Sequence, residues 1–241
     1  MIMFFAIFSL IFGACFGSFI TMASYRLPLG QDIVFKPSYC PKCGNKIGLL
    51  SLIPIFSWIF QGGKCAKCGD KISVRYPLTE LATSLMFLIS YLKFGLTANT
   101  IIFDFMIVIS MIMIITDLEH YIILDSMQIA MLILSLIFIL FNDLSLFYGV
   151  ISAVIYFSII SIASFIVSKI KKRESIGFGD VKFITIAGLI LGIELLPLFL
   201  FLSGMLGIIF GLIWKKFKKN EYFPFGPALI VSYLFLILYF Y

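Results

Sequence analysis

Apolar stretches, separated by short charged or turn-forming breaks, fill most of the chain. Since a bilayer core takes ~20 apolar residues per helix, the pattern predicts helices over 2–24, 77–95, 99–116, 126–141, 146–168, 182–194, 196–213 and 226–240. The sixth and seventh meet around Glu194 and Pro197, where a single broken hairpin would reduce eight spans to seven. The first begins MIMFFAIF, with no basic residue ahead of it, which predicts an uncleaved span and not a removed signal. Only one long polar segment interrupts the series, from Arg26 to Arg75. The expected fold is therefore all-α and membrane-integral: seven to eight transmembrane helices and one small cytoplasmic loop domain. Residues 1–91 hold the first helix, the loop (26–75) and the second helix; 92–241 form a transmembrane core.

Composition agrees with that reading and removes the others. Of 241 residues 62% are hydrophobic and 12% charged, and the mean hydropathy is +1.14. Soluble domains carry about 45–50% apolar and about 25% charged residues, so a water-soluble domain, a disordered chain, collagen and a disulfide-rich secreted module are all excluded. The formal net charge of +6 is a topology signal. Arg26, Lys36, Lys42, Lys46, Lys64, Lys67, Lys71 and Arg75 crowd the polar segment, against Asp32 and Asp70. With eight spans, the breaks at 117–125, 169–181 and 214–225 fall on the same side. Those breaks and their edges hold Lys169, Lys171, Lys172, Arg173, Lys182, Lys215, Lys216, Lys218 and Lys219. Seventeen of eighteen basic residues then share one face, Lys93 being the exception. The positive-inside rule makes that face cytoplasmic, with both chain ends outside. A charge explained by topology requires no nucleic-acid partner; the bilayer is the expected one.

Four of the five cysteines lie in the polar segment, as Cys40-Pro-Lys-Cys43-Gly44 and Cys65-Ala-Lys-Cys68-Gly69, with 21 residues between the pairs. Two CxxC pairs at this distance suit one tetrahedral ion, and a Gly after each pair suits a tight knuckle whose amides point at the thiolates. In a reducing cytoplasm zinc is the expected staple for so short a loop. With all four positions taken by Cys, no coordination place is left for a catalytic water, so the zinc is structural. Cys15, inside the first span, reads as a packing residue.

Acids beside membrane spans raise a functional hypothesis by default. Asp104 is ~20 Å of helical rise from Asp117, and reads as an interfacial or helix-pairing residue. Asp117 ends the apolar run of the third span. Asp125, followed by Ser126, has the position of a helix N-cap. Glu119 and the lone His120 share the short loop between them; His120 is in place to assist proton transfer. Asp180 closes Gly177-Phe178-Gly179-Asp180 and is followed by Val181-Lys182 and a long apolar run, so that close backbone bends occur where an acid enters the membrane. On this topology Asp117 and Asp180 share one depth. Two carboxylates in close approach share one proton, so that one can activate water while the other protonates a carbonyl. That is peptide hydrolysis. Spacing alone leaves open a proton-coupled transporter using the same membrane-face carboxylates.

Several stretches recur together in one known group of proteins. These are Gly17-Ser18-Phe19 through Tyr25-Arg26-Leu27-Pro28, and the CxxC pairs with Ile53-Pro54 between them. Ile72-Ser73-Val74-Arg75-Tyr76-Pro77 then leads to Glu80. Asp117 is paired with Asp125 eight residues on, GFGDVK occupies 177–182, and Pro224-Phe225-Gly226-Pro227 precedes the last span. In this order they resemble the bacterial type IV prepilin peptidase family, the leader peptidases and N-methyltransferases, over nearly the whole chain; the GxGD form is similar to that of presenilin-type proteases. The resemblance implies an aspartic endopeptidase of the inner (plasma) membrane, its active site on the cytoplasmic side, removing basic leaders from prepilins or pseudopilins. It further implies N-methylation of the new amino terminus from S-adenosylmethionine. It makes Asp117 and Asp180 the catalytic pair and Cys40, Cys43, Cys65 and Cys68 the zinc ligands, with Gly177, Gly179, Lys182, Asp125 and Glu80 as supporting candidates. Glu80 is a candidate for the methyltransferase half, or a helix-start carboxylate favoured by the dipole. No glycine-rich cofactor turn is visible, and the zinc loop alone is too small for a cofactor-binding fold. One departure stands out: Leu124 occupies the place where the family usually has Pro before the second acid of its first motif.

Overall fold

A computed structural model describes residues 2–171, 176–218 and 223–241. In chain order the helices are α1 Ile2–Arg26, the short α2 Phe56–Phe60, α3 Arg75–Phe94, α4 Ala98–His120, α5 Asp125–Phe141, α6 Leu146–Lys171, α7 Phe178–Leu191, α8 Leu196–Lys218 and α9 Gly226–Phe240. By length and composition, four helical stretches among the described residues can cross a membrane: Ile2–Leu29, Ala98–His120, Leu146–Ile170 and Leu196–Lys216; α5 and α9 are shorter apolar helices. The turn at Glu194 joins two separate helices, because Gly192 takes a left-handed φ of 66° and ends α7. Among the described residues, long helices therefore stand at each of the eight places where the apolar pattern put them. Of the basic residues invoked for topology, Lys172, Arg173 and Lys219 lie outside the described residues.

The chain forms two compact units, 1–112 and 113–241. In the first, α1 lies against α3 through Gly13 and Gly17, four residues apart on one face. A Cβ on Gly13 would stand 2.8 Å from the Ser84 Cα, and one on Gly17 would stand 2.5 Å from the Glu80 Cα. Small residues at this spacing let two apolar helices meet backbone to backbone where lipid offers no hydrophobic driving force. The Ser84 hydroxyl, donating to Leu10 O at 2.7 Å, locks the pair. Asp104 meets Ser90 of α3, in keeping with a helix-pairing role. Cys15 corrects its expected packing role: it is exposed on the outward face of α1.

In the second unit α7 is the central element, eight of the eleven residues from Val181 to Leu191 being buried. Gly188 lets α6 approach, its absent Cβ lying 3.0 Å from Ala153 Cα. Phe183 meets Tyr233 of α9 edge to face, and the Tyr233 hydroxyl shares a 3.2 Å hydrogen bond with Ser135 of α5. These contacts fix the three helix starts, of α5, α7 and α9, that surround the acids described next.

Candidate active site and metal centre

The two CxxC segments fold into matching knuckles. Tyr39 pairs with Lys46 around the first and Lys64 with Lys71 around the second. In each, the glycine amide closes a turn on the first cysteine, Gly44 to Cys40 O and Gly69 to Cys65 O, both 2.9 Å. Those glycines have φ of 67° and 71°, a left-handed conformation that disfavours any side chain. Cross-links tie the knuckles: Lys67 Nζ donates to Asn45 Oδ1 at 3.0 Å, and Lys42 Nζ lies 3.8 Å from Asp70 Oδ1. The four sulfurs all lie within 4.8 Å of one another, and Cys40 Sγ stands 3.9 Å from Cys68 Sγ. A tetrahedron with zinc–sulfur bonds of about 2.3 Å has edges of about 3.8 Å, whereas a disulfide brings its sulfurs to about 2.05 Å. The donor set fits zinc. Amides of Cys68 and Lys67 hold the Cys65 thiol down at about 6, the direction that favours a metal-binding thiolate. Cys68 is pulled down by the Asp70 amide, yet burial and the neighbouring sulfurs of Cys65, Cys43 and Cys40 push it up to about 12. A cation among the sulfurs removes that repulsion, which is how a metal site and its ligands select each other.

In the second unit a cavity of about 450 Å³ is lined by Asp117, Asp125, Asp180 and Lys182, the loop 121–124 and Gly177–Gly179. Asp117, only 6% exposed, lies near the end of α4. Its Oδ2 accepts the N–H of Gly226 at 3.0 Å, the first residue of α9. Asp180 stands in the first turn of α7, where the Gly177 backbone hydrogen-bonds its carboxylate. Beyond Asp117 the helix stops at Tyr121, whose φ of 57° is a left-handed conformation uncommon for a residue with a Cβ. Its N–H returns to Asp117 O at 2.9 Å, and its ring stands edge-on to Trp214. The chain then crosses the cavity as Ile122–Leu124.

The glycines of the GxGD segment are spent on room, not on bending. Gly177 has φ −62° and ψ 140°, open to any residue. A Cβ there would lie 3.3 Å from Asp180 Oδ2, and one on Gly179 would lie 3.3 Å from Ile123 Cβ. Gly179 O also accepts from Gln128 Nε2 at 3.2 Å, joining α7 to α5. Gln128 carried no signal in the sequence, and neither did the use of Gly226 as donor, although its PFGP setting was visible.

Three expectations change. Asp125 is not an N-cap: Leu124 is, and the Asp125 carboxylate instead pairs with Lys182 Nζ at 2.7 Å. Leu124 itself, where the family usually has Pro, has a φ of −65°, the angle a proline ring imposes. Glu80 is not a helix-start carboxylate, since α3 begins at Arg75 and has no acid in its first turn; it is buried in the first unit with Oε2 accepting the Ile55 N–H at 2.6 Å. Glu119 and His120 are exposed and do not line the cavity.

Fold and sites together define a multi-pass α-helical membrane protein with a four-cysteine cluster that could hold a metal ion, and with Asp117 and Asp180 on the lining of one cavity. Residues 11–94 match the bacterial peptidase A24 N-terminal domain, and 104–212 match the type IV leader peptidase family. A prepilin leader peptidase/N-methyltransferase of Bacillus subtilis is 31% identical over 95% of this chain and 92% of its own length. Proteins of the same description from Neisseria gonorrhoeae and Pseudomonas aeruginosa are 32% and 29% identical, over 92% and 95% of this chain and 86% and 88% of theirs. The chain belongs to the type IV leader peptidase family. No solved structure matches it.

Proposed function

We propose that this chain is an aspartic endopeptidase that removes the basic leader of type IV prepilins or pseudopilins at the cytoplasmic face of the bacterial inner membrane, and that it also carries N-methyltransferase activity. Relatives near 30% identity over most of the chain support the class of activity. The observation that carries the mechanism is the placing of Asp117 and Asp180 on one cavity, each tied by a backbone hydrogen bond at the start of a helix.

The pair works with one shared proton. The ionised carboxylate takes a proton from water as its oxygen attacks the scissile carbonyl carbon. The protonated carboxyl gives its proton to the carbonyl oxygen, forming a neutral tetrahedral diol. Collapse breaks the C–N bond: one diol hydroxyl returns its proton to a carboxylate, the other carboxyl protonates the departing amine, and the pair is left with one proton. Exposed Phe178, Ile122 and Tyr121 around the cavity give an apolar substrate helix something to lie against. A substrate that is itself an apolar helix can enter laterally from the bilayer while its polar leader stays at the loop side, which the basic residues assign to the cytoplasm.

Zinc belongs with Cys40, Cys43, Cys65 and Cys68 and supplies shape to the loop, since four sulfurs complete its coordination. S-adenosylmethionine supplies an electrophilic methyl group when bound. Asp117→Asn and Asp180→Asn, each purified with wild-type zinc content and melting temperature, are expected to leave a synthetic prepilin uncut in a mass-shift assay. Leader removal by either variant at more than a few per cent of the wild-type rate sinks the pair.

A further inference from the structure

The first unit contains a second cavity, of about 520 Å³, between α1, α2, the start of α3 and the two knuckles. Its size falls in the range of small-molecule and cofactor sites, about 300–1,000 Å³. Its chemistry is more particular than its size. Glu80, 6% exposed, brings a carboxylate to the wall, held by the Ile55 N–H and by Ser18. Ile55, the donor of that bond, has φ 63° and ψ −57°, a conformation that strains a residue with a branched Cβ. Such strain persists only where surrounding structure imposes it, so the loop is built around this acid.

Aromatic side chains share the lining with the acid: Trp58, Tyr39, Tyr76 and Tyr25. Trp58 is fixed: its Nε1–H donates to Ile72 O at 3.1 Å, and its ring covers Gly63, where a Cβ would lie 2.8 Å from Cζ2. Arg26, 3% exposed and also in the lining, ties α1 to the loop by donating to the carbonyls of Asp32, Lys36 and Pro37. Lys46, Lys67 and Lys71 also line the cavity, together with the carboxylate of Asp70. A rigid ring, a buried carboxylate and ammonium groups answer the three parts of one ligand: a purine, a sulfonium cation and an amino-acid carboxylate.

We propose that this cavity binds the methyl donor S-adenosylmethionine, with Glu80 set against its positive charge and Trp58 offering a face to its adenine. The inference rests on the N-methyltransferase half of the proposed function. The loop is too small to hold a cofactor alone; α1 and α3 supply the remainder of the walls. Because Cys40 and Cys65 also line the cavity, the zinc centre is part of its frame.

The test is direct binding, measured on the full chain in nanodiscs by equilibrium dialysis. The probes are labelled S-adenosylmethionine, a cation, and S-adenosylhomocysteine, its neutral thioether. The wild type is expected to bind both, the cation several-fold more tightly. Glu80→Gln keeps an oxygen for the Ile55 amide but no charge, and is expected to weaken S-adenosylmethionine about tenfold while leaving S-adenosylhomocysteine within twofold, so that the preference collapses. Trp58→Ala is expected to weaken both about tenfold or more. Zinc content and thermal melting verify that each variant is folded. If both variants bind both probes as the wild type does, the donor binds elsewhere and the assignment of this cavity falls. Should the wild type bind neither probe at millimolar concentration and leave cleaved prepilin unmethylated, the methyltransferase reading itself falls, with the peptidase untouched.

Discussion

Gly226 offers the sharpest test of how the acids are held. Replacing it with Ala puts a Cβ 2.6 Å from Asp117 Oδ2 and 3.2 Å from Asp117 Cγ and Ile123 Cδ1, whereas ordinary contact begins at 3.4 Å. The carboxylate must retreat by about 0.8 Å. It cannot do so freely, because Asp117 is buried and short and is anchored to the same residue's N–H. A misplacement near 1 Å costs about 10²-fold in rate, equivalent to about 2.7 kcal/mol of barrier. The helix itself does not object, since Ala is favoured over Gly in a helix by roughly 0.5–1 kcal/mol. Gly177→Ala is the matched control: its Cβ would lie 3.3 Å from Asp180 Oδ2, so the acid needs to give only about 0.1 Å. Prepilin cleavage followed by mass should fall about 100-fold in Gly226→Ala, whose overpacked site also lowers its melting temperature, and less than tenfold in Gly177→Ala, whose melting temperature stays near the wild type's. Equal rates for the two variants, or wild-type cleavage by Gly226→Ala, would refute the placing of Asp117 by the start of α9.

Three further outcomes are expected. Leu124→Pro meets a φ already at −65° and should raise stability by about 0.4–1 kcal/mol through the unfolded state; a loss of more than 1 kcal/mol in denaturant titration would show that the Leu124 side chain or N–H has a role. Gln128→Leu removes the donor to Gly179 O, a hydrogen bond worth about 0.5–1.5 kcal/mol, and should lower kcat for cleavage several-fold with KM unchanged; an unaltered kcat would free the GxGD turn from α5. Metal analysis should find one zinc per chain, lost in Cys65→Ser and after strong chelation, together with a drop in melting temperature. Retention of zinc by Cys65→Ser would contradict the four-sulfur site.

The apolar pattern was enough to read where the helices lie, because a bilayer demands length and greasiness, but not whether the break at Glu194 separates two of them, which rests on the φ of Gly192. CxxC spacing was equally readable: both knuckles close on their own glycine within five residues, so nothing distant is needed. What escaped is long-range. Asp125 looks like a cap beside Ser126, yet its partner Lys182 is 57 residues away. Asp117 was visible as an acid at a membrane edge, but its amide donor comes from 109 residues along the chain. Likewise the end of α4 extends past the apolar run to His120, because Tyr121 and not the polarity of Asp117 breaks it.

A carboxylate withdrawn from water poses a solvation problem, and Asp117, buried, and Asp180, half-buried, meet it in the same way. The first turn of a helix has N–H groups without intrahelical partners and a partial positive charge. Asp180 uses the start of its own helix, through Gly177; Asp117, at the wrong end of α4, borrows the start of α9. That requirement accounts for the segment Phe225-Gly226-Pro227 residue by residue. Pro227 fixes the backbone of the first turn of α9. Gly226 brings both the N–H and the room for an acid to reach it. Phe225 packs into the space left by Gly207 of α8, where a Cβ would stand 2.5 Å from its ring, and so holds the helix start in place. α9 is therefore part of the setting of Asp117: without it the buried carboxylate would lose its backbone donor.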